Sequence, residues 1–232
     1  DEELQGHMNL TSANAINEAR FLPQAFYYFN AYAQAKKLGK ADNLTICVPS
    51  GNFGNITAGL FAQRMGLPIM NFIAANNAND IFYNYLLSGI YSPKASIQTI
   101  ANAMDVGDPS NFARILDLYK SSHAEICNHI SGATYSDDEI AATMKKCYEQ
   151  TGYVLDPHGA CGYQALKDNL KEGETGVFLE TAHPAKFKEK VDAILSTDIE
   201  IPTRLADFMK GKKQSLEMAA DFSAFKQFLL SV

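Results

Sequence analysis

The sequence has no run of lysine and arginine, no apolar stretch of the roughly 20 residues that cross a bilayer, no closely spaced cysteine pair and no internal repeat. Each absence removes a class of protein. A surface that tracks nucleic-acid phosphates needs clustered cations to displace counterions, whereas 26 acidic side chains here outnumber 20 basic ones for a formal charge of −6. Neither nucleic acid nor a membrane is therefore an expected partner. Cys47, Cys127, Cys147 and Cys161 are separated by long, unequal gaps, which fits neither a metal knuckle nor a small disulfide framework. They are expected to be reduced and structural, with no metal site. The acidic start, Asp1-Glu2-Glu3, has none of the basic character of a secretory peptide, so a soluble cytoplasmic protein is expected.

What is present is an ordinary globular composition, 47% hydrophobic and 20% charged over 232 residues. Apolar side chains at helical spacing predict a long helix over 12–37, with Pro23 marking a kink or restart and Gly39 the stop. The β-rich run 44–48 and the run 69–75 predict strands buried on both faces, joined by a helix over 56–65. That is a βαβ unit, and it predicts an α/β fold with a partly parallel sheet and helices on both faces. Further helices are predicted over 79–87, 111–120, 122–130, 137–150 (capped by Ser136), 158–170 and 184–195, with a third strand over 176–180. The stretch 88–110 is rich in Gly, Ser, Pro and Asp and has little periodicity, which fits a lid that moves over a site. Residues 1–197 are read as the core and 198–232 as a tail of one or two amphipathic helices.

Three places carry chemistry. Ser50-Gly51-Asn52-Phe53-Gly54-Asn55 lies between a buried strand and a helix. There, glycine lets successive amides point into one concavity at the positive end of the helix dipole, so the loop is either a plain turn or an anion cradle. It matches neither G-x-G-x-x-G nor the Walker pattern; its two asparagines could add side-chain donors and favour the cradle. Asn14, Asn17 and Arg20 recur at three-residue spacing, which on a helix gives either a solvated polar face or a surface for a carboxylate or phosphate. Thr181 follows the third strand directly, at the carboxyl end where α/β sheets gather ligands, and could equally cap the helix near Pro184. His158, beside Pro157, reads as a local hydrogen-bonding residue or a catalyst. His7, His123 and His129 receive no role.

Taken together, Val48-Pro49-Ser50-Gly51-Asn52-Phe53-Gly54-Asn55 with Ala58-Gly59 and Met65-Gly66-Leu67-Pro68, preceded by Ser12-Ala13-Asn14-Ala15-Ile16-Asn17 and followed by Asp156-Pro157-His158 and Thr181-Ala182-His183-Pro184-Ala185-Lys186-Phe187, resemble the threonine synthase family. Phe53 points to its bacterial and fungal branch. The resemblance implies the tryptophan-synthase-β-like fold (fold type II of pyridoxal phosphate enzymes), here incomplete, and conversion of O-phospho-L-homoserine and water to L-threonine and phosphate. It implies that Ser50, Gly51, Asn52, Phe53, Gly54 and Asn55 hold the cofactor phosphate, that Thr181 faces the pyridine nitrogen, and that Asn14, Asn17, Arg20 and His158 lie near the substrate. The lysine that the family bonds to its cofactor sits in a Phe-Lys-Asp-like motif well upstream of the asparagine-rich segment. No lysine here has that context, so no catalytic residue is assigned and the chain is expected to be the C-terminal portion of such an enzyme. A relative of the same fold, such as a serine or threonine dehydratase, and a non-catalytic phosphate-binding module are the other readings.

Overall fold

A strand covered on both faces must carry apolar side chains on both, and the run after Asn43 does. Leu44, Ile46 and Val48 pack with Tyr28, Ile56 and Phe72 on one side, while Cys47 packs with Ile73, Met144 and Cys161 on the other. In a computed structural model, which describes residues 1–11, 14 and 16–232, this run is the strand β1 (Leu44–Pro49). With β2 (Asn71–Asn76), β3 (Ile130–Thr134) and β4 (Thr175–Phe178) it forms one sheet in the order β3-β2-β1-β4, parallel throughout.

The helices, in chain order, are α1 (Glu2–His7), α2 (Glu18–Phe21), α3 (Ala25–Lys37), α4 (Gly54–Arg64), α5 (Ile81–Ser88), α6 (Phe112–Leu118), α7 (His123–His129), α8 (Asp137–Thr151), α9 (Pro157–Asn169), α10 (Lys188–Leu195), α11 (Thr203–Met209) and α12 (Phe222–Ser231). Residues of α3, α4, α5 and α6 fill the first core cluster, and residues of α8, α9 and α10 the second. The step from β1 to β2 thus crosses one face through α4, and the step from β3 to β4 crosses the other through α8 and α9. Two crossovers of the same hand running in opposite directions must lie on opposite faces. The sheet order reverses between β1 and β4, and the loops leaving those two strands flank the reversal, where open α/β sheets bind ligands.

Four expectations need correction. The helix over 12–37 is broken: described helix begins only at Glu18, a 3-10 turn at Leu22–Gln24 contains Pro23, and α3 restarts at Ala25. Ser12, Ala13 and Ala15 lie outside the described residues. The predicted helix 122–130 ends at His129, and Ile130 opens β3, which the sequence hides because Ile-Ser-Gly-Ala-Thr has a single large apolar side chain. Gly132 suits that strand for another reason: a Cβ there would come within 2.9 Å of Leu86 Cδ1 on α5. The third predicted strand stops at Phe178, leaving Glu180 and Thr181 beyond the sheet. The segment 184–195 divides into a 3-10 turn (Pro184–Phe187) and α10, and its cap is His183, whose Nδ1 accepts the Ala185 N–H at 3.1 Å, rather than Thr181.

Cys47, Cys147 and Cys161 are buried free thiols and Cys127 is an exposed one. Among the described residues no cluster of histidine, cysteine and carboxylate could hold a metal, and no helix is long and apolar enough to cross a membrane. The tail holds two helices, and α12 returns to α1 through Lys226, which pairs with Asp1 at 2.9 Å and Glu3 at 2.8 Å.

Candidate active site

The loop after β1 is built around a residue in an uncommon conformation. Phe53 has φ 62° and ψ 12°, the left-handed region that disfavours a Cβ. Its ring is held in compensation: it is buried, 4.6 Å from the ring of Phe82 on α5. A left-handed residue at the mouth of a helix turns successive N–H groups to one side. Ser50 N–H is taken by Ala75 O, Ile56 N–H by Asn55 Oδ1, and Thr57 N–H by Phe53 O. Between them the amides of Gly51, Asn52, Phe53, Gly54 and Asn55 have no acceptor among the described residues. Five consecutive free donors at the positive end of the 11-residue α4 fit a dianionic phosphate.

The asparagine side chains also brace the loop from within the protein. Asn55 donates Nδ2 to Pro49 O at 2.7 Å, and its own carbonyl receives Tyr28 Oη at 2.6 Å, so it braces the loop from within. Asn52 uses Oδ1 to accept Ser110 N–H at 2.6 Å and Ser110 Oγ at 2.9 Å, and its backbone carbonyl accepts Asn111 Nδ2. Asn55 thus spends its amide donor within the loop, whereas Asn52 holds the neighbouring segment through its oxygens.

The segment 88–110, whose composition fits a functional or mobile loop, is fastened along its length. Asp105 accepts Asn77 Nδ2 at 2.8 Å, Asn79 Nδ2 at 3.2 Å, Thr99 Oγ1 at 2.7 Å and Thr99 N–H at 3.0 Å. Ile100 N–H bonds the Asp137 carboxylate. The 3-10 turn Asn102–Met104 then sits on the loop, so close that a Cβ on Gly51 would lie 2.7 Å from Met104 Cα and 3.0 Å from Ala103 O. None of these polar partners, buried in a stretch with loop composition, was visible in the sequence.

His158 holds that turn in place. It is 2% exposed; Nε2 accepts Ala103 N–H at 3.1 Å and Nδ1 lies 2.6 Å from Asp156 Oδ1. An imidazole accepting at Nε2 carries its proton on Nδ1, so His158 is spent internally. Asp156 also caps α9 through the His158 N–H at 2.7 Å. Thr181 is exposed and its hydroxyl has no partner among the described residues.

Asn14, Asn17 and Arg20 do not share a helical face. Asn14 Oδ1 accepts Ile16 N–H at 2.8 Å and Asn17 caps α2 by accepting Ala19 N–H at 3.0 Å, so both precede the helix. Arg20 lies exposed on α2, which packs against α4. A residue the sequence left unremarked is Glu180. Burial first, and then the Asp156 carboxyl, push it up to about 8. Its only local signal is a carboxylate placed one residue before Thr181.

The family model for pyridoxal-phosphate dependent enzymes matches residues 5–181, and that for the threonine synthase C-terminal region matches 159–229. The chain is 47% identical over 230 residues to the threonine synthase of Haemophilus influenzae, covering 99% of this chain and 53% of that protein. It superposes on the crystal structure of Escherichia coli threonine synthase with a TM-score of 0.91 at 42% identity, covering 99% of this chain and 53% of the other. The pyridoxal-phosphate-bound threonine synthase of Brucella melitensis gives a TM-score of 0.89 at 34% identity over 100% of this chain and 55% of the other. The chain therefore spans about half the length of the relatives it matches.

Proposed function

This chain belongs to the family of pyridoxal-phosphate-dependent enzymes, with the type II fold, and from that premise we propose that it is the C-terminal portion of a threonine synthase, an enzyme that makes L-threonine and phosphate from O-phospho-L-homoserine and water. The observation that carries the reading is the row of five unpaired amides at the start of α4, set at the reversal between β1 and β4. Gly51, Asn52, Phe53, Gly54 and Asn55 bind the cofactor phosphate through their N–H groups, with Ser50 at the mouth of the loop. Thr181, leaving the neighbouring strand at the same end, offers a neutral hydroxyl to the ring nitrogen. Unlike a carboxylate, that hydroxyl leaves the nitrogen free to stay unprotonated.

Bound there, pyridoxal phosphate supplies an electron sink for charge that develops on the substrate carbons. The chain's own part is to bind, orient and position. Arg20, beside α4, is suited to an anionic group of the substrate; Asn14 and Asn17 shape that corner, and His158 holds the turn that closes on Gly51. We read 1–197 as the core and 198–232 as its tail, and place the enzyme in the cytoplasm.

The test is reconstitution. Alone, the chain should release no phosphate from O-phospho-L-homoserine, and borohydride should fix the cofactor at no single lysine. Joined to the N-terminal portion of the Haemophilus influenzae relative, it should release phosphate from that substrate. Turnover by the chain alone, or a joined enzyme that acts on serine and ignores phosphohomoserine, overturns the proposal.

A further inference from the structure

Asp156 and Glu180 meet where α9 begins and β4 has ended. Glu180 Oε1 lies 3.4 Å from Asp156 N and rests over Gly159, where a Cβ would come within 2.1 Å of that oxygen. Glycine in the first turn of α9 gives the carboxyl its seat. Asp156 Oδ2 and Glu180 Oε2, the remaining oxygens of the two carboxyls, are both buried and have no hydrogen-bond partner among the described residues. Two carboxyls buried at one place have no donor to share unless one of them carries a proton.

We propose that Glu180 is a positioning residue of the site: it holds one proton between its carboxyl and that of Asp156, and thereby keeps the His158 imidazole neutral, with Nε2 open to the Ala103 N–H. A proton on the Oδ2 side draws negative charge off Asp156 Oδ1. Without it the full carboxylate charge sits 2.6 Å from His158 Nδ1 and favours imidazolium. In that form Nε2–H meets the Ala103 N–H donor to donor, and the turn Asn102–Met104 loses its tie above Gly51. The groups facing the pair are His158 on α9, Tyr153 ahead of it and Phe187, whose ring lies 4.8 Å from the imidazole. None of the groups acting on Glu180 is a cation, and its affinity for a proton is raised accordingly.

The link from this turn to cofactor binding rests on the proposed function; the carboxyl pair itself does not. The experiment is nitrogen-15 NMR of the imidazoles of the chain near neutral pH, with the His158 signal assigned by its loss in His158→Gln, together with amide exchange at Ala103. Wild type should show neutral His158 protonated at Nδ1. Glu180→Gln should match it, because the amide donates to Asp156 Oδ2 in place of the proton. Glu180→Ala should raise the ratio of imidazolium to neutral His158 about tenfold and speed Ala103 exchange by about the same factor, as one lost hydrogen bond does. Gly159→Ala evicts the carboxyl without altering it and should reproduce the alanine variant, which keeps the test open if Glu180→Ala fails to fold. Imidazolium in wild type, or unchanged His158 and Ala103 signals in Glu180→Ala or Gly159→Ala, overturns the inference. Titration with pyridoxal 5′-phosphate adds the functional arm: affinity should fall about tenfold in Glu180→Ala and hold in Glu180→Gln. The proposed function is decided separately, by the joined enzyme, while the His158 signal decides the carboxyl pair.

Discussion

Replacing Asp105 tests whether the segment over the loop is held by its polar interior. In Asp105→Ala, Asn77 Nδ2 keeps Thr99 Oγ1 at 2.8 Å and Ala101 O at 3.2 Å. Asn79 Nδ2 keeps Ile97 O at 2.9 Å and Asn77 Oδ1 at 3.1 Å. The groups left without an acceptor are the Thr99 N–H and hydroxyl, which bond Asp105 at 3.0 and 2.7 Å. Two hydrogen bonds to a charged acceptor are worth about 1.5–3 kcal/mol each, and recovery of the carboxylate's hydration offsets part of the loss, so the expected cost is about 3–4 kcal/mol. Asp105→Asn separates the contributions. Its oxygen can still take the three donors that converge on Oδ1, and its NH2 meets only the Thr99 N–H, for a cost of about 1–2 kcal/mol. Urea unfolding measures both, read as the midpoint at constant slope, and amide exchange over 97–105 shows whether the loss is local. A cost below about 1 kcal/mol for the alanine variant, or an asparagine variant at least as damaging, refutes the reasoning.

The remaining expectations concern the pH profile, the loop and one helix start. Glu180 has a folded-state value of about 8 against an ordinary 4.5, so the folded state binds its proton more tightly. Its contribution is full below pH 4.5, is lost as pH rises to about 8, and is flat above. At full strength that is about 5 kcal/mol, and solvent screening of a half-buried group reduces it to about 2 kcal/mol. Chemical denaturation across that range should show the decline, and Glu180→Gln should flatten it. In Gly51→Ala the new Cβ meets backbone atoms that cannot swing aside, so the chain should lose about 1–3 kcal/mol in urea and bind pyridoxal phosphate more weakly. Ser136 and Glu139 form a reciprocal capping box on α8; Ser136→Ala should cost about 1 kcal/mol, measured as a thermal shift.

The central strands were legible because burial on both faces leaves an unbroken apolar run, as in 44–48. The edge strand β3 was not, since only Ile130 of its residues is fully buried and Gly132 serves its neighbour α5. The turn from β1 into α4 was legible as composition, because glycine beside a helix start marks a tight change of backbone direction. The bracing contacts of Asn52 and Asn55 were not legible, because an amide in a loop has no periodicity to say which way it points. Asp105 lies in a stretch of loop composition and Asn77 and Asn79 more than 25 residues before it, and only the fold brings them together. Glu180 was hidden for the same reason: its partner, Asp156, lies 24 residues earlier.

The pairing of β1 with β4 also governs when this site can exist. Asn43 and Gly173, which bond across that edge, are 130 residues apart. At ribosomal speeds of about 5–20 residues per second, one flank of β1 waits roughly 7–26 s for its partner to be synthesised. Closing so distant a contact is slow in free solution as well. The loop 50–55 hangs from β1 and Thr181 follows β4, so the two halves of the proposed site come together only at the last act of sheet assembly. Until then the nascent chain presents an unpaired edge on a largely apolar strand, the kind of surface that chaperones recognise.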